Sequence, residues 1–110
     1  MVWKKAIDFV KHIYTMTAQF PKEEQYSIVS QMRRAAVSIP SNMAEGAARH
    51  SDKEKVNFFY MARGSLSELD TQIEICESLG YLRPGDKNAS QEQMDELSAM
   101  LNGLIRAQRE

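Results

Sequence analysis

Few residues in this 110-residue chain are of types that could do metal or covalent chemistry: two histidines, one cysteine and fifteen carboxylates. A buried di-iron centre in a helical protein needs Glu-x-x-His on two helices, so that both ligands project inward from one face. Phe9 stands three residues before His12, and Ala47 three before His50, so neither histidine completes that motif. A lone cysteine and two isolated histidines also lack the ligand spacing of a zinc site. His12 therefore reads as an exposed helix residue and His50 as a loop residue. Cys76 falls on a hydrophobic seam, where a small thiol packs as an apolar group rather than acting as a nucleophile. Arg63-Gly64-Ser65 lies inside a heptad run, without the glycine-rich surroundings of a phosphate loop or the turn of a nucleophile elbow. The expectation is a protein that is not an enzyme, with no catalytic residue, no cofactor and no metal.

Binding is the other chemistry open to these residues. At about 100° per residue, Arg34, Ser38, Ser41 and Glu45 fall on one stripe of a helix, roughly 120° from its apolar centre. Ser65 and Glu68 on the next helix extend this polar stripe or interface, and Arg34 is placed to pair with Glu68. Asn42 points closer to the core and must find hydrogen-bond partners there. Lys4, Lys5, Lys11 and Arg33 form a candidate basic rim for nucleic acid, although no interleaved aromatic motif accompanies them in the sequence. The chain as a whole carries a net charge of −1. Its first fifty residues hold seven basic and four acidic side chains; the remaining sixty hold seven and eleven. Unlike faces of this kind suit head-to-tail pairing of copies.

The elements that must position these groups are helices. Apolar residues recur at helical spacing in four segments, at about residues 3–18, 24–48, 52–80 and 90–105, and no segment alternates as a strand does. The first stripe is Trp3, Ile7, Val10, Tyr14 and Thr17. The second is Ile28, Met32, Ala35, Ile39, Asn42 and Gly46, and it keeps its phase across Pro40, which predicts a kinked helix rather than a break. Ser51 with Glu54 forms a capping-box pattern ahead of Phe59, Ala62, Leu66, Leu69, Ile73 and Cys76. Gly80 reads as a left-handed cap, and Arg83-Pro84-Gly85-Asp86 as a turn in the longest connection. Ser90 with Gln93 opens the last helix, whose stripe is Met94, Leu97, Leu101 and Leu104. The fold class expected is all-α, an antiparallel up-down-up-down four-helix bundle.

Large apolar residues off these stripes mark a second surface. Phe9 and Met16 lie about 100° from the first seam, and Tyr60, Met61 and Ile75 on the far sides of the third helix. A contiguous exposed apolar patch usually marks an interface, so these five residues are expected to drive self-association. With 43% hydrophobic and 26% charged residues, the chain fits one soluble domain over residues 1–110. A single cysteine forms no internal disulfide, and the longest apolar run is far short of the roughly 20 residues of a spanning helix. The start of the chain leads into no signal-peptide core, so a cytoplasmic location is expected by elimination.

The run from Gln31 to Gly46 (Gln-Met-Arg-Arg-Ala-Ala-Val-Ser-Ile-Pro-Ser-Asn-Met-Ala-Glu-Gly) resembles the signature of the 23S ribosomal RNA intervening-sequence proteins, also called four-helix-bundle proteins. Phe58-Phe59, the segment Ala62 to Leu69, Gly80-Tyr81-Leu82 and Met100 to Ile105 are similar too, so the likeness spans nearly the whole chain. It implies a bacterial four-helix bundle with a continuous, kinked second helix, in a family whose relatives assemble as ring-shaped homopentamers. It also implies kinship with the accessory variability proteins of diversity-generating retroelements, which bind a reverse transcriptase and nucleic acid. The reading that follows is a non-enzymatic self-assembling scaffold or adaptor; the alternative is an RNA- or DNA-binding accessory factor that uses a basic rim of the oligomer.

Overall fold

The structure, a computed structural model, describes residues 2–109, and its side chains are described for residues 3–108. Four helices, α1 (Val2–Thr17), α2 (Ile28–Ala47), α3 (Asp52–Ser78) and α4 (Asp86–Arg109), form an elongated bundle of 44 × 24 × 20 Å. Each helix packs on the next, and α1 closes against α4. Cross-links fix the antiparallel order: Lys5 reaches Glu96, His12 meets Ser90, Ser38 meets Ser65, and Arg63 meets Asn102. The fold is the expected four-helix bundle.

The core is built from one stripe of each helix: Ala6, Phe9, Ile13 and Met16; Met32, Ala36, Ile39 and Met43; Ala62, Leu66, Leu69 and Ile73; Met94, Leu97 and Leu101. Three stripes agree with the sequence periodicity. The first corrects it, because Phe9 and Met16 are buried, whereas Trp3 and Tyr14 are exposed. Helix α1 is apolar around roughly half its circumference, so its period gives a direction but not which edge of that broad arc faces inward. Phe20, buried just past the helix, continues the Ala6–Phe9–Ile13–Met16 line and settles the phase.

Helix ends follow local chemistry. A single 3-10 turn at Lys22–Glu24 separates α1 from α2, so α2 starts four residues later than its periodicity suggests. It then runs unbroken through Pro40. Ser51 caps α3 by accepting from the Glu54 N–H at 3.1 Å, and its hydroxyl donates to the Glu54 carboxylate. At the other end, Gly80 adopts φ +79°, Tyr81 N–H donates to Cys76 C=O, and Gly80 N–H to Glu77 C=O, the paired bonds of a Schellman cap. Asp86 N–H closes a turn onto Arg83 C=O with Pro84 and Gly85 (φ +91°) at its centre. Helix α4 begins at once from that turn, with the Asp86 carboxylate accepting from Arg83 N–H at 2.9 Å. Ser90 is therefore not a cap. It lies one turn inside α4 and is fully buried.

Candidate functional site

The polar stripe on α2 occupies the position its spacing dictates, but its members spend much of their hydrogen bonding on their own helix. Pro40 has no N–H to give to the carbonyl of Ala36, so the ladder is one bond short there. Around that gap Ser38 Oγ donates to Ala35 C=O, Ser41 Oγ to Val37 C=O and Asn42 Nδ2 to Ser38 C=O, at 2.8–3.0 Å. Asn42 thus finds its partner one turn back rather than across the core. Ser38 and Ser65 share a short hydroxyl–hydroxyl contact that joins α2 to α3. Glu45 pairs with Arg49, whose guanidinium also lies 4.7 Å from the Phe58 ring centroid.

The expected Arg34–Glu68 ion pair is absent. Arg34 Nη2 donates to Ser30 Oγ at 3.0 Å, and Glu68 accepts from Gln72 Nε2 at 3.2 Å. Both residues flank a notch of about 200 Å³ with Gln31, Ala35 and Ser38, one residue on each wall. Arg34, Asn42, Glu45 and Glu68 thus each hold a different partner.

The basic rim is likewise not one strip. Lys5 is tied to Glu96 at 3.0 Å, while Lys4 and Lys11 are exposed on α1. Arg33 is a strut: its Nε donates to Thr17 Oγ1 at 3.0 Å, its Nη2 to Tyr14 C=O at 3.2 Å, and it stacks 4.5 Å from the Tyr14 ring centroid. With Gln25, which donates to the carbonyls of Thr17 and Phe20, it satisfies the C-terminus of α1. The aromatic residues that the sequence does not place beside these cations are brought there by the fold. Tyr14 and Tyr26 line a surface groove of about 690 Å³ with Arg33, Arg34, Ser30 and Ser41, and Tyr26 is 97% exposed.

The apolar surface lies where α1 meets α2. Because Phe9 and Met16 point inward, the outward apolar edge of α1 is Trp3, Ile7, Val10 and Tyr14. Trp3, Ile7 and Val10 line a trench of about 290 Å³ with Val37, Pro40 and Ala44 of α2. Trp3 and Ala44 continue it into an almost wholly apolar bowl of about 720 Å³ at the bundle's end, walled by Met43, Ala47, Ala48, Phe59 and Leu104. Trp3 is 50% and Val37 42% exposed. Away from its core stripe α3 presents Tyr60, Met61 and Ile75, and its C-cap Leu79 is exposed as well. The sequence had supplied the signal for the first face, an over-wide apolar arc on α1, but its two edges were exchanged.

The remaining reactive groups differ in exposure. Cys76 is buried beside Met32, its Sγ 3.7 Å from Met32 Sδ, and burial pushes its pKa up to about 11, so the thiol stays protonated. His12 is not the free surface residue expected from its position. It is half-buried, stacks on Phe9, and its Nε2 lies 2.7 Å from Ser90 Oγ. Burial lowers its pKa, opposed more weakly by the charge of Asp86. His50 is exposed in the α2–α3 turn. No three His, Cys, Asp or Glu side chains cluster among the described residues, and no described helix is long and apolar enough to cross a membrane.

The family model for the 23S rRNA-intervening sequence protein matches residues 1–103. The chain belongs to that family. A solved structure from Bacteroides thetaiotaomicron, of a protein of unknown function in the S23 ribosomal protein family, is similar over 96% of this chain and 98% of that one. Its TM-score is 0.85 at 18% identity, a likeness of fold. No curated protein matches the chain. Within the intervening-sequence signature, four positions now have a local reason: Ser38, Ser41 and Asn42 donate to carbonyls of their own helix on either side of Pro40, and Gly46 lets α2 approach the Phe58–Phe59 pair. A Cβ on Gly46 would lie 2.7 Å from Phe59 Cε1 and 3.1 Å from Phe58 Cβ.

Proposed function

We propose that this intervening-sequence family member is a non-enzymatic scaffold or adaptor that self-assembles in the cytoplasm into a closed ring, a homopentamer by its family resemblance. The observation that carries the reading is the apolar trench along Val10, Ile7 and Trp3, which continues into the bowl beside Ala44. Contiguous exposed apolar surface of this extent is costly unless something covers it. The apolar stripe on α3 is a different surface, so the contact that joins them is heterologous, and a heterologous contact whose rotation closes makes a ring. Charge favours the same arrangement, because the half of the sequence bearing α1 and α2 is net positive and the half bearing α3 and α4 net negative.

Two complementary substitutions test it. Val37→Glu disables the α1–α2 face and Ile75→Glu the α3 face, so each variant alone should be monomeric by light scattering. Mixed together, they retain one intact face of each kind and should form a 1:1 dimer and nothing larger. Two variants that keep the native mass, or a mixture that stays monomeric, contradict the arrangement.

A second reading, an RNA- or DNA-binding accessory factor, is favoured by the Tyr14–Tyr26–Arg34 groove. Exposed rings on which bases stack, beside a guanidinium, are the features of a single-strand surface. Such binding should fall steeply between about 50 and 200 mM salt and weaken on Tyr26→Ala. An absence of binding to mixed-sequence RNA and single-stranded DNA at low salt eliminates it.

A further inference from the structure

Two outward lines of residues, one on α2 and one on α3, repeat at the same interval. On α2, Ala44, Val37 and Ser30 stand seven residues apart, which sets them in one row down the α1–α2 face. That row joins two hollows. The apolar bowl of about 720 Å³ lies beside Ala44, and the groove of about 690 Å³ between Tyr14 and Tyr26 lies beside Ser30. Val37 lines both that groove and the smaller trench leading to the bowl. On α3, Met61, Glu68 and Ile75 are also seven apart, all three are exposed, and Leu79 extends the row by one turn. At the helical rise per residue each row spans about 21 Å from its first member to its third. Helix α3 therefore carries two apolar knobs with a carboxylate midway, and the α1–α2 face carries two hollows at the same separation.

We propose, building on the self-assembly reading above, that the Tyr14–Tyr26 groove is a second socket for a further copy of the chain: it receives Ile75 and Leu79 while Met61 of the same helix enters the bowl. Charge sets the direction. With Met61 at Ala44 and Ile75 at Ser30, the incoming α3 runs antiparallel to the α2 it covers, and Glu68 and Glu74 fall within one turn of the exposed Arg34, on either side of it. The reverse direction sets Glu74 and Glu77 against the apolar bowl and Glu45, with the single ammonium of Lys87 to offset both. The contact also covers Tyr26, whose ring is 97% exposed in the isolated chain, and it closes the groove to nucleic acid in the assembled protein.

The test oxidises mixtures of single-cysteine variants of the full chain; the native Cys76 is buried, so the introduced thiols are the ones that react. Ala44→Cys with Met61→Cys, and Ser30→Cys with Ile75→Cys, should each give a covalent dimer, whereas the crossed mixtures, Ala44→Cys with Ile75→Cys and Ser30→Cys with Met61→Cys, should not. Tyr26→Ala should keep the native helical circular dichroism and weaken association about tenfold in sedimentation, as loss of a buried interface tyrosine does. Fluorescein-labelled oligothymidylate at low salt should show no binding to the assembled protein that depends on Tyr26. Cross-linking that is equal or stronger in the crossed mixtures, no cross-link from a protein that still assembles, or unchanged association of Tyr26→Ala overturns the second socket and leaves self-assembly standing. A native protein that is monomeric overturns both. Oligothymidylate binding to the assembled protein that Tyr26→Ala abolishes gives the groove to nucleic acid and overturns the proposal.

Discussion

At the scale of single residues, two glycines inside helices make opposite demands. Gly46 is held against the Phe59 ring, which is itself buried and cannot swing aside. Overpacking typically costs about 1–3 kcal/mol, and the better helix propensity of Ala returns up to about 1. Gly46→Ala should therefore lower the unfolding free energy, by on the order of 1 kcal/mol in urea titration. Gly64 faces open space, so Gly64→Ala keeps only the propensity gain and should raise it by about 0.5–1 kcal/mol. The sequence marks both as helical glycines and cannot distinguish them, because the difference lies in what the neighbouring helix places above each Cα. His12 supplies a second prediction at this scale. Its pKa is lowered in the folded state, mainly by burial, so the unfolded chain binds the proton more readily. Stability from this residue is present above the unfolded value of about 6.5 and falls as pH drops below it. Urea midpoints at pH 7.5 and 5.5 should show that loss, and His12→Gln should flatten it. His12 reads as a surface residue from periodicity because its partners, Phe9 and Ser90, were themselves assigned to the wrong positions.

Among elements, the least legible was the first helix and the most legible the third. Helix α3 opens on a capping box and repeats its core residues from Phe59 to Cys76 at gaps of three and four, so its period fixes both its existence and its phase even though Tyr60, Met61 and Ile75 lie outward. Helix α1 has apolar side chains on both edges of a broad arc, and only tertiary packing selects the Ala6–Phe9–Ile13–Met16 edge. The start of α4 was misplaced for another reason: Ser90 and Gln93 match a capping box, yet the Pro84–Gly85 turn delivers the chain into helical geometry four residues earlier. The link between α1 and α2 runs through Pro21, which cannot continue a helix. Its hold comes from Arg33, which donates to Thr17 and Tyr14 at the carbonyl end of α1. Arg33→Ala removes that cap and the stacking on Tyr14, and should cost about 1–2 kcal/mol in thermal or urea unfolding. Arg33→Lys should recover part of it, since a single ammonium reaches one acceptor but not both. A nucleic-acid role for Arg33 would instead predict unchanged stability.

For the whole molecule, the architecture follows from composition and period, while the outer surface depends on the sum of several helices. The α3 stripe of Tyr60, Met61 and Ile75 could be read from one helix alone. The α1–α2 trench could not, because Val37, Pro40 and Ala44 supply one wall and the outward edge of α1 the other. Within the polar stripe, Ser38, Ser41 and Asn42 donate to carbonyls of their own helix, and Arg34 and Glu68 flank one notch with separate partners. The central claim is that this surface is covered by further copies of the chain. Sedimentation equilibrium of the native protein across a wide concentration range tests it most directly. The account predicts one closed species whose mass is a fixed multiple of the 12.6 kDa chain, unchanged on moderate dilution. A mass of 12.6 kDa at every concentration would contradict it.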